Sequence, residues 1–246
     1  MVVFKNFFDR QTFIDHHQFG MADRFHSLNE WFKTRRFLFT LIAFMLLFIL
    51  YPLTEEFVRI SFFLDIFLSI VLLSAIYAVG ERRGPLVFGV LTAVPAFLAH
   101  WVHFFFEVQV LHLIDVVFGI IFFAFATVTI VTHLFKEKRV TADLIRGAIC
   151  GYLLIGLMWA FVFSLVETLR PGSFVSEAAA NLNLENLIYY SFVTLSTTGY
   201  GDIVPMTNQA RSLSILEAVM GQMYLAVNIA TLVAIRISQS SGKDPE

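Results

Sequence analysis

The sequence predicts an all-α integral membrane protein with six transmembrane helices and a short re-entrant helix. The composition is the first reason: of 246 residues, 58% are hydrophobic and only 15% are charged, whereas soluble domains average about 25% charged residues. The second reason is a series of six long apolar runs. The third is a half-length apolar segment, followed by glycine-rich backbone, between the last two runs.

The six apolar runs are separated by short polar or charged breaks. A membrane-crossing helix needs about 20 consecutive, mainly apolar residues, and only helices or closed barrels satisfy their backbone groups in lipid. The runs cover residues 37–53, 60–79, 85–106, 109–135, 144–167 and 210–236. We therefore expect six spans, with both termini on one side of the membrane.

The basic residues predict the orientation of these spans. If both termini are cytoplasmic, all but three of the 17 basic residues lie on the cytoplasmic side, the exceptions being Arg59, Arg170 and Arg211. This is the asymmetry of the positive-inside rule. We expect a multi-pass protein of the cell (plasma) membrane with no signal peptide, because residues 1–36 mix Phe with charged residues.

Charge and cysteine content add two exclusions. A net charge of −2 gives no basic footprint for nucleic acid. The single cysteine, Cys150, cannot form an intrachain disulfide. Neither feature points to a nucleic-acid partner or to a redox role.

The exterior stretch 168–209 contains the re-entrant element. Asn183 is a candidate N-cap for a helix of about 13 residues, with apolar positions at helical spacing up to Leu195. Such a helix crosses only half a membrane. Backbone of this kind is tolerated at membrane depth where protein surrounds it or where it lines a wet cavity.

The segment Thr197-Thr198-Gly199-Tyr200-Gly201-Asp202 follows the half-helix. Successive backbone carbonyls facing one axis can replace the water around an alkali cation. Gly199 and Gly201 can adopt the left-handed backbone that this requires. Thr197 adds a hydroxyl at the inner entrance, and Tyr200 and Asp202 can bond to the surrounding wall. The negative end of the half-helix dipole favours a cation there.

These six residues resemble the filter of tetrameric potassium channels, which usually reads Thr-Val-Gly-Tyr-Gly-Asp. The resemblance covers residues 144–237 and implies K⁺ at the carbonyls of Thr197, Thr198, Gly199, Tyr200 and Gly201, with no organic cofactor. Thr198 replaces the usual Val, which puts the stability of the filter in question more than its selectivity. One loop cannot enclose a pore, so a four-fold homotetramer is implied.

Further positions match the family one by one. Tyr189 and Tyr190 lie where family members place aromatic side chains that bond the filter Tyr and Asp. Val193 replaces a buried Glu found in some members. Gly221 matches the hinge glycine of the inner helix, although close helix packing explains it equally well. From there, helical spacing predicts which residues line the cavity and inner gate: Gln222, Leu225, Ile229 and Val233.

The expected organisation has five parts. Residues 1–36 form a cytoplasmic segment that could lie along the membrane surface, and residues 37–135 form a four-helix transmembrane domain. A cytoplasmic linker at 136–143 leads to the pore domain, residues 144–237. Residues 238–246 form a short cytoplasmic tail.

The first four helices resemble a voltage sensor in number but not in chemistry. Residues 84–135 contain no Lys or Arg, so we expect no intrinsic voltage gating. Candidate proton or metal sensors are His100, His103, His112, Asp65 and Asp115, although histidines bonded to neighbouring helices explain the pattern better. The stimulus would then come from a separate protein, a ligand, membrane lipids or these helices.

Other functions fit the sequence less well. A nonselective monovalent cation channel of the same architecture is the nearest alternative, and Tyr200 argues against it. Potassium-uptake transporters carry four such loops in one chain. No nucleophile and base, and no paired metal motif, support an enzyme. For Glu217 and Asn228 we expect hydrogen bonds between helices, with a role along the ion path as the alternative.

Overall fold

The computed structural model describes residues 36–50, 69–71, 74, 83–106, 109–137, 139–177 and 182–241. Within these residues the protein has six helices: α1 (Arg36–Leu50), α2 (Arg83–Phe106), α3 (Gln109–Lys136), α4 (Ala142–Leu169), α5 (Leu184–Leu195) and α6 (Asn208–Ser241). Those from Phe37 onward form one compact unit. Residues 1–35 of the predicted N-terminal segment 1–36, residues 242–246 of the predicted tail 238–246, and most of the second run lie outside the described residues.

Five of the six predicted apolar runs coincide with α1, α2, α3, α4 and α6. Among the described residues, three helices are long and apolar enough to cross a membrane, namely Val110–Lys136, Ala142–Leu169 and Asn208–Gln239. Of the run at 60–79, only residues 69–71 and 74 are described, and they are helical. The membrane class therefore has direct structural support, and the count of six spans stays a prediction.

Helices α3 and α4 pack along each other and share a core with α1. Phe44, Phe122, Phe123, Leu154 and Leu157 are fully buried in it. Residues on both sides of the predicted linker therefore belong to one hydrophobic cluster. Helix α1 also reaches the half-length helix, because the rings of Phe48 and Phe192 meet edge to face at 4.9 Å.

A small antiparallel ribbon joins the two ends of the re-entrant segment. The predicted all-α fold did not include this ribbon. Strand β1 (Phe174–Ser176) pairs with β2 (Ile203–Pro205), with Val175 opposite Val204. The carboxylate of Glu167, at the end of α4, accepts hydrogen bonds from the backbone N–H groups of Gly172 (2.7 Å) and Phe174 (3.0 Å). Strands of three residues carry too little periodicity to be read from sequence.

An aromatic cluster fills the space between α4, α5 and the ribbon. The rings of Phe163, Phe174 and Tyr190 meet pairwise at 5.1 to 5.2 Å in T-shaped geometry. Trp159 extends the cluster, with its ring 5.7 Å from that of Phe163. Edge-to-face pairs add about 0.5–1.5 kcal/mol each beyond their burial. The cluster therefore fixes the back of α5 against α4.

We expect Phe163→Ala to lower the free energy of unfolding by about 3–5 kcal/mol, because it removes a fully buried ring and leaves a cavity. The measurement is unfolding of the purified protein in detergent. Leu169→Ala is the matched control, since that side chain at the end of α4 is 68% exposed. Equal losses in the two variants would show that the aromatic cluster does not stabilise the fold.

Candidate functional site

Helix α5 begins and ends with well-defined caps. The Asn183 side chain accepts a hydrogen bond from the Asn186 N–H at 3.1 Å, and the Asn186 side chain accepts one from the Asn183 N–H at 3.1 Å. This reciprocal pair is a capping box. The predicted N-cap at Asn183 and the half-length helix are thus confirmed, with 12 residues in the helix.

The chain leaves α5 through a Schellman motif built on a threonine. The N–H of Thr198 donates to the Val193 carbonyl at 2.9 Å, and that of Thr197 donates to the Thr194 carbonyl at 2.9 Å. This motif needs a left-handed residue just after the cap, and Thr197 supplies it with φ of 57°. Glycine is usual there, so a β-branched residue in this conformation marks a constrained backbone.

Left-handed backbone recurs at every second residue beyond that point. Thr197, Gly199 and Gly201 have φ values of 57°, 60° and 82°. The left-handed conformation predicted for the two glycines is therefore present, and Thr197 extends the alternation by one step. A Cβ added at either glycine would meet no atom within 4 Å, so conformation rather than space calls for glycine here.

The six residues from Thr197 to Asp202 are all exposed in the single chain. Tyr200, the largest of them, is 71% exposed. Beside them, the Tyr189 hydroxyl lies close enough to the Asp202 carboxylate to interact with it. The loop is held from behind by α5 while its other side is open.

The described contacts of Tyr190 include residues of α4 and α6. Its hydroxyl lies 2.6 Å from the Ser214 hydroxyl on α6, and its ring belongs to the aromatic cluster. The described contacts of Tyr190 therefore join α5 to α4 and α6 and not to Tyr200 or Asp202. Consecutive residues on a helix point about 100° apart, so Tyr189 and Tyr190 lie on different parts of the α5 surface.

The Thr198 hydroxyl has a local partner. It lies 2.8 Å from the hydroxyl of Ser196, which also lies 2.6 Å from the Phe192 carbonyl. A Val at position 198 would leave this pair unformed. The polar side chain that departs from the usual motif is thus hydrogen-bonded at the end of α5.

Gly221 allows α6 to approach the end of α5 closely. A Cβ at this position would lie 2.5 Å from the Leu195 carbonyl oxygen, well inside contact distance. The same carbonyl accepts a hydrogen bond from the Tyr152 hydroxyl of α4 at 3.2 Å. Helix α6 runs unbroken from Asn208 to Ser241, and the close contact at Gly221 is the one that the packing explanation expects.

Gln222, which the sequence assigned to the cavity, contacts the loop. Its side-chain N–H donates to the Thr197 hydroxyl at 3.4 Å. Leu225, Ile229 and Val233 follow on α6 and are all exposed in the single chain. Asn228 is buried, and its side-chain N–H donates to the Tyr224 carbonyl of its own helix at 2.9 Å.

The candidate sensor residues are only partly described. His112 lies 3.2 Å from the Thr168 hydroxyl of α4, a contact between helices, and Asp115 is buried. The backbones of His100 and His103 belong to α2, while their side chains, like Asp65, lie outside the described residues. Within the described part of the chain, no three His, Cys, Asp or Glu side chains are grouped as metal ligands.

One segment of the chain matches a family of known proteins. Residues 151–237 match the family model described as "Ion channel". This range begins within α4, includes α5 and the loop, and ends within α6. No solved structure matches the chain at a significant level.

Two curated relatives are potassium channels by name. Two pore potassium channel c of Oryza sativa subsp. japonica is 34% identical over 64 residues, which is 26% of this chain and 14% of the relative. Inward rectifier potassium channel Kirbac3.1 of Paramagnetospirillum magnetotacticum is 30% identical over 92 residues, which is 36% of this chain and 28% of the relative. The matches thus span a minor part of either relative.

We expect Gly221→Ala to destabilise the protein by about 1–3 kcal/mol, because the new methyl group overpacks the contact with the Leu195 carbonyl. Thermal unfolding in detergent measures it. The matched control is Gly84→Ala in α2, where a Cβ meets no atom within 4 Å and alanine is the better helix former. A Gly221→Ala protein as stable as the control would contradict the close-packing explanation.

Proposed function

We propose that this chain, whose residues 151–237 match the "Ion channel" family model, is one subunit of a homotetrameric, potassium-selective channel. Four copies of the Thr197–Asp202 loop surround one axis, and K⁺ passes through the ring passively. The chain conducts ions and is not an enzyme. It lies in the plasma membrane with both termini cytoplasmic and has no intrinsic voltage gating.

The observation that supports the proposal best is the alternating backbone of the loop. Left-handed residues at 197, 199 and 201 turn successive carbonyl oxygens to the same side of the chain. Such a stack of carbonyls replaces the hydration shell of a potassium ion. The interaction of Tyr189 with Asp202 and the Ser196–Thr198 hydrogen bond support this backbone.

Apolar side chains that are exposed in the single chain support an assembly of several copies around the loop. Helix α6 presents a row of exposed apolar side chains beside it: Ile215, Leu216, Val219, Met220 and Met223. A lone loop with an open face cannot surround an ion. Further copies of the same chain, related by a closed rotation, would cover the open face and supply the missing loops.

Reconstituted liposomes with a potassium gradient test the activity. We expect potassium flux, no sodium flux, and loss of flux in Gly199→Ala, because φ of 60° costs an alanine about 1–2 kcal/mol in each subunit. Gly172→Ala is the matched control: this glycine has φ of 81° and the same open space, but it lies outside the loop. We expect that variant to keep its flux.

Two results would contradict the proposal. Equal potassium and sodium flux would favour a nonselective cation channel, and Thr198→Val would then show whether Thr198 is the cause. Equal effects of Gly199→Ala and Gly172→Ala would mean that general backbone strain, and not the loop, limits conduction.

We expect native mass spectrometry of the detergent-solubilised protein to give four chains per particle, because one chain supplies one loop and a pore needs four. The Gly172→Ala variant, which leaves the loop and α6 unchanged, is the control. A monomer, or any closed assembly without four loops, would exclude the proposed pore whatever the flux results.

A further inference from the structure

Glu217 is an acidic residue with no access to solvent in the structure. Its exposed fraction is 0%, and it lies on α6 where that helix packs against α4 and α5. It takes part in neither of the described ion pairs, which join His133 to Glu137 and Arg146 to Asp143. The titratable groups that face it from α4 and α5 are the phenols of Tyr152 and Tyr190.

The hydrogen bonds around Ser191 indicate where a proton must be. The Ser191 hydroxyl on α5 lies 2.7 Å from the Gly156 carbonyl of α4 and 2.5 Å from Oε1 of Glu217. A hydroxyl has one hydrogen, and a carbonyl can only accept. If Ser191 donates to Gly156, its contact with Glu217 needs a hydrogen from the carboxyl group. A protonated Glu217 satisfies both contacts, whereas an ionised one would leave two acceptors competing for one hydrogen.

The second carboxyl oxygen gives the same indication. Oε2 of Glu217 is buried and has no hydrogen-bond partner among the described residues. An ionised carboxylate needs several donors or a cation when it is removed from water, and its burial without them is strongly unfavourable. A neutral carboxylic acid with one unpaired carbonyl-type oxygen costs far less.

We infer that Glu217 is held as a neutral carboxylic acid and acts as a positioning residue, donating its proton to Ser191 and thereby joining α6, α5 and α4 at one point. The inference about its protonation stands on the described contacts alone. Its consequence for ion flux rests on the proposed channel function.

Glu217 lies in the middle of a regular seam between α6 and α5. Along α6, Ser214, Glu217 and Gly221 occur at helical spacing on one face. They contact, in the same order, Tyr190, Ser191 and Leu195 of α5. The Leu195 end of this seam is followed directly by the loop. A neutral carboxylic acid at the centre of this seam therefore fixes the position of α5 along its axis and its rotation about that axis. The position of the loop depends on both.

Four variants test the inference on the full-length protein in detergent and in liposomes. Glu217→Gln keeps the shape and donates an amide hydrogen to Ser191, so we expect wild-type thermal stability and flux. Glu217→Leu keeps the volume but cannot donate, so we expect a lower thermal midpoint and loss of flux. Ser191→Ala removes the acceptor and should act like Glu217→Leu, while Ser212→Ala, at an exposed position on α6, should have no effect.

Infrared difference spectroscopy between wild type and Glu217→Gln reads the proton directly. We expect the C=O stretching band of a protonated carboxylic acid in the wild type, its absence in Glu217→Gln, and a shifted band in Ser191→Ala. A carboxylate band assigned to Glu217 at neutral pH would overturn the inference, as would loss of stability in Glu217→Gln. Because these readouts do not need flux, a wild-type protein without flux would contradict the proposed function and leave this test intact.

Discussion

A short helix that begins and ends within a protein must have its terminal backbone groups satisfied by the structure around it, and the second half of this molecule is organised by that constraint. The first turn of α5 is satisfied by the reciprocal Asn183–Asn186 bonds. At its other end, the Val193 and Leu195 carbonyls are taken up by the returning loop and by the Tyr152 hydroxyl. The half-helix therefore ends without unpaired groups at these positions.

The same constraint explains why small and polar residues occur where apolar side chains would seem to suffice. Gly221 lets the backbone of α6 come against Leu195, and Gly156 gives room to the Phe192 ring, which a Cβ would approach to 2.6 Å. Ser191 and Glu217 are then brought within hydrogen-bond reach. Close backbone approach and interhelical hydrogen bonds are the interactions that hold helices together where lipid removes the hydrophobic driving force.

Helices in the first half of the described chain pack against α4 and α5. Helices α1 and α3 share a buried cluster with α4, and Phe48 of α1 touches Phe192 of α5. The sequence placed a domain division at residues 136–143, and the core continues across it. A change in the packing of α1 would therefore reach α5 through direct contact, which links the preceding helices physically to the loop.

Much of the fold could be predicted because it depends on patterns local in sequence. The apolar runs gave five described helices to within a few residues, Asn183 was identified as a cap, and Gly199 and Gly201 were expected to be left-handed. These features follow from hydropathy, capping chemistry and the missing Cβ of glycine. Thr197 was missed as a third left-handed residue, since its conformation comes from the end of α5 and not from its own preference.

What only the tertiary structure decided depends on which side chains meet across helices. Sequence spacing could not separate Tyr189 from Tyr190, yet Tyr189 lies beside Asp202 and Tyr190 is hydrogen-bonded to Ser214. For Gly221, sequence spacing left a hinge and close helix packing as two explanations. For Glu217, it identified no partner residue. The sequence by itself determined a membrane protein with a half-helix and a glycine-rich loop, because amino-acid composition and the spacing of apolar residues are properties of the chain itself. The partners of Tyr190, Gly221 and Glu217 are properties of α4, α5 and α6 together, and no pattern within one segment contains them.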